Sequence, residues 1–318
     1  MWGLIMWKRI FNYIITEEDS IKYQNIHGFL KAHGYSSAVI RHLKETENGI
    51  CKNGIWARVQ DALAPKDTLT LHLIETESSE NIVPSPLPLS IVYEDEDLLI
   101  LNKPAGMSIH PSQGNYDNTL ANACAYYFRQ KGEPFTYRCI NRLDRDTTGL
   151  LLLARHMYSA SLLSAMVAKR EIHREYLALA EGFVPDQGTI TAPIARKPGS
   201  TIEREINFET GEYACTHFRR IAWFKHDDSG SNDMMCPEKN GYSLVSLKLD
   251  TGRTHQIRVH MKYIGHPLPG DFLYNPDFSI IKRQALHSHR LEFRHPITGE
   301  KMNFTAPLPE DMLLHLSN

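Results

Sequence analysis

A polar, arginine-rich segment that runs directly into an unbroken apolar segment is the feature that most constrains the fold. It reads Ile140-Asn-Arg-Leu-Asp-Arg-Asp-Thr-Thr-Gly-Leu-Leu-Leu-Leu-Ala-Arg155. A short apolar run bounded by turn residues is typical of a strand that is buried on both faces. We therefore predict a buried strand at residues 150–154, with a rigidly held polar loop before it.

The carboxylate of Asp144 lies in that loop between Arg142 and Arg145. A cation within a few ångströms keeps a carboxylate ionised, and a nucleophile or general base must be ionised at neutral pH. The competing interpretation is a surface salt-bridge turn without function, which composition alone favours.

The residues on either side of this loop alternate between strand-like and helical patterns. Runs at 91–93, 98–102, 176–180 and 243–249 predict strands, and residues 157–169 predict a helix. The mixture indicates an α+β fold, with a large mixed or antiparallel sheet flanked by helices. Residues 225–241 are polar and contain glycine, so we expect a mobile surface loop there.

Three prolines at every second position between residues 81 and 89 predict an extended connector between two domains. Residues 1–80 then form a small α+β module, with helical patterning over 20–47 that is interrupted at Gly34 and strand-like pieces near 53–54 and 68–74. Residues 90–318 form the large domain.

Composition narrows the class of protein. A hydrophobic content of 42% over 318 residues fills a real core, and the net charge of −2 means that any nucleic-acid site must be local. The five cysteines are odd in number and contain no C-x-x-C pair, which argues against disulfides or a cysteine-rich zinc site. No run approaches the ~20 apolar residues of a membrane span. We expect a cytoplasmic protein with neither an export signal nor a membrane anchor.

A second polar block, Leu249-Asp-Thr-Gly-Arg-Thr-His-Gln-Ile-Arg-Val-His-Met261, turns at Thr251-Gly252 into a predicted helix. Helix N-termini offer free N–H groups that favour phosphate, and this block adds the side-chain donors of Arg253, His255, Gln256, Arg258 and His260. Metal binding by the two histidines is the rival idea. Their spacing misses the i, i+4 geometry and no carboxylate lies between them, so we predict no metal.

Tyr176 begins a strand-like run, where an aromatic ring can stack on a base if it faces a cleft. The pattern by itself favours a core tyrosine.

At these residues the chain resembles the RluA-type family of pseudouridine synthases, the ribosomal large subunit pseudouridine synthase-like enzymes, over nearly all of residues 90–318. Four blocks match in the family's order: residues 93–111, which contain Asn-Lys-Pro-Ala-Gly; residues 142–149; residues 169–176; and residues 252–260 followed by 265–271. The second and fourth blocks together are the specific ones.

The resemblance implies roles for individual residues. It makes Asp144 the essential aspartate, Arg258 the arginine that pairs with it, and Tyr176 the tyrosine against the target base. It makes Arg142 the side chain that fills the space left by a flipped nucleotide, and we assign RNA contacts to Arg253, His255 and Gln256 as well.

Two positions depart from the family pattern: Asn141 replaces the usual histidine and Thr148 the usual serine. Both keep a hydrogen-bonding side chain, so we expect activity to survive. Residues 26–35 and 51–55 of the small module resemble, more loosely, the ribosomal-protein-S-four type of RNA-binding module.

The function implied is isomerisation of uridine to pseudouridine in RNA, ribosomal RNA first and transfer RNA second, by a monomer that needs neither metal nor cofactor. Whether Asp144 attacks the ribose or acts as a base on it stays open. Two alternatives remain. One is a non-catalytic RNA-binding or ribosome-assembly factor on the same fold, and the other a glycoside hydrolase, which would need a second carboxylate such as Asp146.

Overall fold

Two separate β-sheets dominate the computed structural model, which describes residues 6–225 and 241–315. A four-stranded sheet forms near the N-terminus and a ten-stranded sheet forms from the residues after it. The α+β class with a large mixed sheet flanked by helices is thus confirmed. The polar segment predicted as a surface loop, residues 225–241, lies outside the described residues except at its two ends.

The small sheet is antiparallel and carries three helices. Its inner strand β4, which pairs with both β1 and β2, alternates more exposed and buried residues, and its buried Leu69, Leu71 and Leu73 pack into a cluster with Val39 and Leu43 of the third helix. This period of two is what places one face of a strand against helices. In chain order the elements are β1 (Trp7–Ile14), α1 (Glu17–Lys22), α2 (Ile26–Ala32), α3 (Ser37–Glu45), β2 (Ile50–Lys52), β3 (Ile55–Trp56) and β4 (Thr68–Glu75), with strand order β1-β4-β2-β3.

The large sheet is built from strands that are distant in sequence. Its elements are β5 (Ile91–Glu94), β6 (Leu98–Lys103), α4 (Leu120–Lys131), β7 (Arg138–Cys139), β8 (Thr148–Ala154), α5 (Met157–Ala168), β9 (His173–Glu181), β10 (Gln187–Thr191), β13 (Cys215–Lys225), β14 (Gly241–Leu249), α6 (Gln256–Tyr263), β15 (Leu286–Arg294), β16 (Lys301–Thr305) and α7 (Glu310–Leu313), and a separate ribbon pairs β11 (Ile194–Arg196) with β12 (Arg204–Ile206). The strand order is β10-β13-β14-β9-β15-β8-β6-β5, with β7 beside β8 and β16 beside β15.

Strand β8 is the central strand that the apolar run predicts. All seven of its residues are buried, and it pairs antiparallel with β6 and parallel with β15. At Gly149 the backbone has φ +108°, and a Cβ there would lie 2.2 Å from the carbonyl oxygen of Ser288. Only glycine fits this close approach of β8 to β15, so the loop before β8 is anchored at the middle of the sheet.

Helix α4 was not among the predicted elements, although its ends carry recognisable signals. The Thr119 side chain and the Asn122 side chain each bond the other residue's backbone N–H in a capping box, and the helix ends at Gly132 with φ +69°. Its buried face contains several small residues, which weakens the hydrophobic periodicity on which helix prediction depends.

The N-terminal module packs on the large sheet through α5. Tyr158 of α5 joins the hydrophobic cluster of the module, its ring stacks on Tyr35 at 3.7 Å, and its hydroxyl donates to the carbonyl of His33 at 2.8 Å. The proline-rich segment lies along α4, because the Asn122 amide donates to the carbonyl of Val83 at 2.7 Å. Within the described residues, no helix has the length and apolar character needed to cross a bilayer.

Candidate active site

A cleft of about 1250 Å³ opens where the loops before β8 and before α6 meet the start of β9. It is lined by Arg142, Asp144, Tyr176, Arg253 and His255 among others, while Gln256 and Arg258 line a smaller recess of about 60 Å³ that shares several of these residues. The cleft lining contains seven Lys and Arg residues against four Asp and Glu residues. A chain with almost no net charge therefore concentrates positive side chains at one place, which suits a polyanion.

The loop that carries Asp144 is anchored to the protein by buried side chains that alternate with outward-facing ones. Leu143 is buried in the main hydrophobic cluster, while its neighbours Arg142 and Asp144 face outward. The Asn141 side chain accepts from the N–H of Leu152 at 2.8 Å and donates to the carbonyl of Leu150 at 3.4 Å. An asparagine at this position thus ties the loop to the backbone of β8.

The position of Thr148, the second departure from the family pattern, is likewise supported. Its hydroxyl is 2.9 Å from Nδ1 of His287. Burial lowers the pKa of His287 to about 4, so this imidazole is neutral at pH 7. The end of the loop is therefore joined to β15 by a side-chain contact as well as by the sheet.

Asp144 pairs with Arg258 across 114 residues of sequence. The Arg258 Nη1 donates to Asp144 Oδ2 at 2.8 Å, and its Nε and Nη2 donate to the two carboxylate oxygens of Asp271 at 2.6 and 2.7 Å. The exposed fraction of the side chain falls along this hydrogen-bonded series, from 27% for Asp144 to 2% for Arg258 and 0% for Asp271. A bidentate pair with a buried partner fixes the guanidinium, and the guanidinium in turn fixes one oxygen of Asp144.

Arg258 keeps its positive charge in spite of its burial. Burial opposes the positive charge on Arg258, but the hydrogen bonds that Arg258 donates to Asp271 and the charge of Asp144 outweigh it and raise the pKa of Arg258 above its ordinary value. No donor among the described residues bonds Asp144 Oδ1. One oxygen of Asp144 is thus held and the other is free to act in the cleft.

The loop before α6 contributes His255 in a strained backbone conformation. His255 has φ +58°, its Nδ1 is 2.9 Å from the hydroxyl of Tyr274, and its Nε2 is 3.9 Å from Asp144 Oδ2. Burial lowers the pKa of His255, which makes a neutral ring the dominant form at pH 7. Non-glycine residues at positive φ are uncommon and cluster at functional sites.

The side chain of Gln256 forms hydrogen bonds that hold the loop before α6 in place. Its Oε1 accepts from the Thr251 hydroxyl at 2.8 Å and the Arg253 N–H at 3.0 Å, and its Nε2 donates to the Cys215 carbonyl and the Thr216 hydroxyl, each at 3.0 Å. The residue is 2% exposed. The structure therefore brings Gln256 next to the cleft but engages its amide within the protein.

The two other arginines of the predicted site, Arg253 and Arg142, differ in whether neighbouring residues hold their side chains. Arg253 is held at the cleft wall, since its Nε donates to the carbonyl of Tyr213 at 3.1 Å and its guanidinium pairs with Glu212. Arg142 is exposed at the mouth of the cleft and forms no ion pair with any described residue.

Tyr176 is both a core tyrosine and a residue of the cleft, which are the two interpretations that the sequence allowed. It is 5% exposed and belongs to the main hydrophobic cluster, yet it lines the cleft beside Asp144. On β9 it lies between Leu247 of β14 and Ser288 of β15, so three strands determine its position. A core tyrosine here forms the floor of the cleft.

Sequence reasoning missed two supporting residues, Asp271 and Lys103. Both stand inside the matched blocks, but nothing in the pattern indicates that Asp271 holds Arg258 or that Lys103 supports the Asp144 loop. Lys103 is 1% exposed, and its ammonium donates to the carbonyls of Pro104 at 2.7 Å, Met107 at 2.9 Å and Arg145 at 2.7 Å. Burial lowers the pKa of Lys103 to about 7.

Comparison with known proteins places this cleft in a known family. The model of the RNA pseudouridylate synthase family matches residues 97–263. An RNA pseudouridine synthase of Bacillus subtilis (strain 168), YjbO, is 39% identical over 280 residues, covering 88% of this chain and 93% of the relative. The ribosomal large subunit pseudouridine synthase D of Zymomonas mobilis is 36% identical over 303 residues, covering 88% and 90%.

A solved structure supports the same relationship. The chain titled human RNA pseudouridylate synthase domain containing 1 superposes with a TM-score of 0.55 at 28% sequence identity, covering 69% of this chain and 83% of that one. The cleft residues Asp144, Tyr176 and Arg258 all fall within the stretch that the family model matches.

Proposed function

The chain belongs to the RNA pseudouridylate synthase family, and from that premise we propose that Asp144 is the catalytic carboxylate and that ribosomal RNA is the substrate. As a pseudouridine synthase the protein isomerises uridine to pseudouridine in RNA. The observation that carries the assignment of Asp144 is its geometry, with one oxygen held by a buried arginine and the other directed to a basic cleft.

The reaction needs one ionised carboxylate beside the ribose. The bond between C1′ and N1 of uracil breaks, the base turns, C1′ bonds to C5, the C5 hydrogen leaves as a proton, and N1 takes up a proton, so that the product is an isomer of the substrate. Asp144 either attacks C1′ and is later displaced, or removes a proton from the neighbouring sugar carbon and later returns it. Arg258 supports both routes by holding the carboxylate in position with a charge-assisted hydrogen bond. Neither route calls for a metal or redox cofactor.

The remaining cleft residues handle the RNA. Extruding a nucleotide from its stack costs a few kcal/mol and leaves a gap. Arg142, exposed at the cleft mouth, is suited to fill that gap, and the ring of Tyr176 is suited to contact the extruded uracil. We assign Arg253 and His255 to RNA contacts at the cleft wall, and Gln256 to holding their loop.

The substrate proposal rests on the relatives and on the cleft. Several relatives of 33–38% identity are named ribosomal large subunit pseudouridine synthase D, and the excess of cationic side chains in the cleft suits a phosphate backbone. Transfer RNA is the second candidate. Because one chain supplies the whole cleft, we propose a monomer, and an RNA substrate of this kind makes the cytoplasm its site of action.

We also propose that three regions of the chain have different roles. Residues 1–80 act as an accessory module, residues 81–89 as a connector and residues 90–318 as the catalytic domain. The separate four-stranded sheet supports this division, as does a hydrophobic cluster whose buried members all come from the first region except Tyr158. An RNA-binding role for the module follows from its resemblance to the S-four type.

Substitution of two neighbouring aspartates tests the assignment of Asp144. Asp144→Asn should lower conversion by at least about 10³-fold, as expected when a reacting group is removed, while RNA binding persists. Asp146→Asn is the matched control, since Asp146 bonds the Gly106 N–H at 3.2 Å and pairs with Arg145, and it should keep most of the activity. Conversion is measured as release of tritium from RNA labelled at C5 of uracil. Equal losses in the two variants contradict the assignment.

Base-resolution mapping of pseudouridine in a strain that lacks the protein tests the substrate. We expect one or a few ribosomal RNA positions to lose the modification and to regain it with the wild-type chain but not with Asp144→Asn. Loss confined to transfer RNA rejects the ribosomal proposal while leaving the chemistry intact.

A further inference from the structure

A thiol, an imidazole and a carboxylate that take no part in the Asp144–Arg258–Asp271 chain come together at the cleft wall. Cys215 and His217 lie two residues apart on β13, and Asp250 follows the end of β14, the neighbouring strand. The ligand atoms of the three side chains all lie within 4.8 Å of one another. Residues two apart on a strand share a face, so the sheet itself brings Cys215 and His217 together.

The contacts converge on a single nitrogen. His217 Nε2 is 3.8 Å from Cys215 Sγ and 3.1 Å from Asp250 Oδ2. In a Cys-His-Asp proton relay, the thiol and the carboxylate bond opposite nitrogens of the imidazole. Here Nδ1 is occupied by the Thr189 hydroxyl at 2.9 Å. The arrangement therefore fails as a relay and resembles ligands around a shared centre.

The two separations from His217 Nε2 match the edges of a zinc tetrahedron. Bonds of about 2.3 Å to sulfur and about 2.0–2.1 Å to nitrogen and oxygen at tetrahedral angles place S and N about 3.5 Å apart, and N and O about 3.3 Å apart. The observed 3.8 and 3.1 Å are within about 0.3 Å of these values. Cysteine, histidine and aspartate are all zinc ligands.

The surroundings prepare the ligands for a metal. The Thr189 hydroxyl can accept from Nδ1–H of His217, which leaves Nε2 to bind metal, as contacts behind metal-bound histidines usually do. Cysteine binds zinc as a thiolate, so metal binding at this site releases the Cys215 thiol proton to solvent.

We propose that Cys215, His217 and Asp250 form a Zn²⁺ site in the wall of the RNA cleft. Cys215 is buried behind the site, whereas the His217 and Asp250 side chains are 46% and 38% exposed and line the cleft. The fourth ligand is therefore an oxygen from the cleft side, water in the free enzyme. Such a three-ligand site with one open position differs from closed structural zinc sites.

The site would stiffen the loop that carries Arg253 and His255. The Cys215 N–H already donates to the Thr251 hydroxyl at 3.1 Å, and the Cys215 carbonyl accepts from the Asp250 N–H at 3.2 Å and from Gln256. A metal that joins β13 to Asp250 adds a bond at the base of the same loop. The effect is on cleft rigidity, and the isomerisation chemistry takes no step through the metal.

Metal titration of the full chain tests the proposal directly. Zn²⁺ binding is followed in competition with a chromophoric chelator, and Co²⁺ is then used as a spectroscopic probe. We expect one equivalent of metal, release of about one proton per Zn²⁺ at neutral pH, and a thiolate-to-cobalt charge-transfer band. Absence of stoichiometric uptake, or a cobalt spectrum without the thiolate band, overturns the site.

Variants separate this site from adventitious binding. Cys215→Ser should remove the thiolate band and weaken Zn²⁺ binding by more than about 100-fold, and Thr189→Val should weaken it by about tenfold. Cys51→Ser, a buried cysteine of the N-terminal module, is the control and should bind Zn²⁺ like the wild type. If Cys215→Ser does not fold, Asp250→Asn takes its place. Unchanged affinity in folded Cys215→Ser or Asp250→Asn refutes the proposal.

Discussion

Two polar clusters in this molecule both pair aspartates with an arginine, but they differ in how many of the carboxylate oxygens accept hydrogen bonds. In the cleft, Arg258 joins Asp144 to Asp271, and one oxygen of Asp144 has no donor among the described residues. The second cluster, which we call the junction cluster, lies where β1 of the module meets the large sheet. Its members are Arg9, Asp95, Asp97, His156 and His295.

In the junction cluster every carboxylate oxygen is bonded. Asp97 Oδ1 accepts from Arg9 Nε at 3.1 Å and His156 Nε2 at 2.8 Å, and Asp97 Oδ2 accepts from Arg9 Nη2 at 3.0 Å. Asp95 Oδ1 accepts from two backbone N–H groups, and its Oδ2 accepts from the Tyr93 hydroxyl and His295. A saturated carboxylate holds structure, whereas a carboxylate bonded on one side is available for chemistry.

Removal of Arg258 is expected to have the largest effect, because it damages both stability and catalysis. Arg258→Met leaves the fully buried Asp271 charge without its partner, which should lower the free energy of unfolding by about 3–5 kcal/mol. It also removes the donor to Asp144, which should reduce kcat by at least about 100-fold. Urea unfolding and the tritium-release assay measure the two effects.

A double variant separates those effects. Adding Asp271→Asn to Arg258→Met removes the unpaired buried charge, so part of the lost stability should return. Activity should stay low, since Asp144 still lacks its donor. Recovery of activity together with stability would mean that Arg258 acts only through folding.

The junction cluster should respond in the opposite sense. Asp97→Asn removes the carboxylate that Arg9 and His156 share, and should lower the free energy of unfolding by about 2–3 kcal/mol. The folded variant should retain kcat and KM within about twofold. A tenfold loss of kcat in folded Asp97→Asn breaks the contrast, since it would couple the junction to the cleft.

This contrast also shows where sequence reasoning ends. The run at residues 150–154 predicted β8 and the pattern at 157–169 predicted α5, because burial periodicity is local information. The pairing of Asp144 with Arg258 came from the order of the family motifs. Asp271 and Lys103 stayed hidden, since their roles depend on complete burial and on contacts that only the folded chain creates.

The junction cluster was equally out of reach. Its acidic and basic members are spread from Arg9 to His295, and in the sequence they look like ordinary surface charges. Nothing in a single sequence distinguishes a saturated carboxylate from one with a free oxygen.

Acid should unfold the two regions in different pH windows. Burial lowers the pKa of His287 to about 4, below the ~6.5 of an unfolded histidine, so its contribution to stability is complete above pH ~6.5 and is lost as pH falls towards 4. In the junction, burial opposes the charge on Asp97, but bonds from His156 and Arg9 outweigh it and lower the pKa of Asp97. Its contribution is complete above pH ~3.9 and is lost at lower pH.

Urea unfolding at a series of pH values measures these windows. His287→Gln should flatten the dependence of the unfolding free energy on pH between about 6.5 and 4 by up to about 1.4 kcal/mol per pH unit. Exposed His27→Gln is the control and should leave that slope unchanged. A wild-type slope in His287→Gln would show that other groups take up the proton.

The smallest effect is expected at Asn141, which supports the cleft loop without touching the Asp144–Arg258 pair. Asn141→Ala removes two bonds to the backbone of β8 and should lower the free energy of unfolding by about 1–2 kcal/mol. Because Asp144 lies three residues along the same loop, kcat should fall several-fold, whereas Asn12→Ala on the exposed face of β1 should change neither quantity measurably. Stability lost with kcat intact would mean that Leu143 and Lys103 are sufficient to hold the loop.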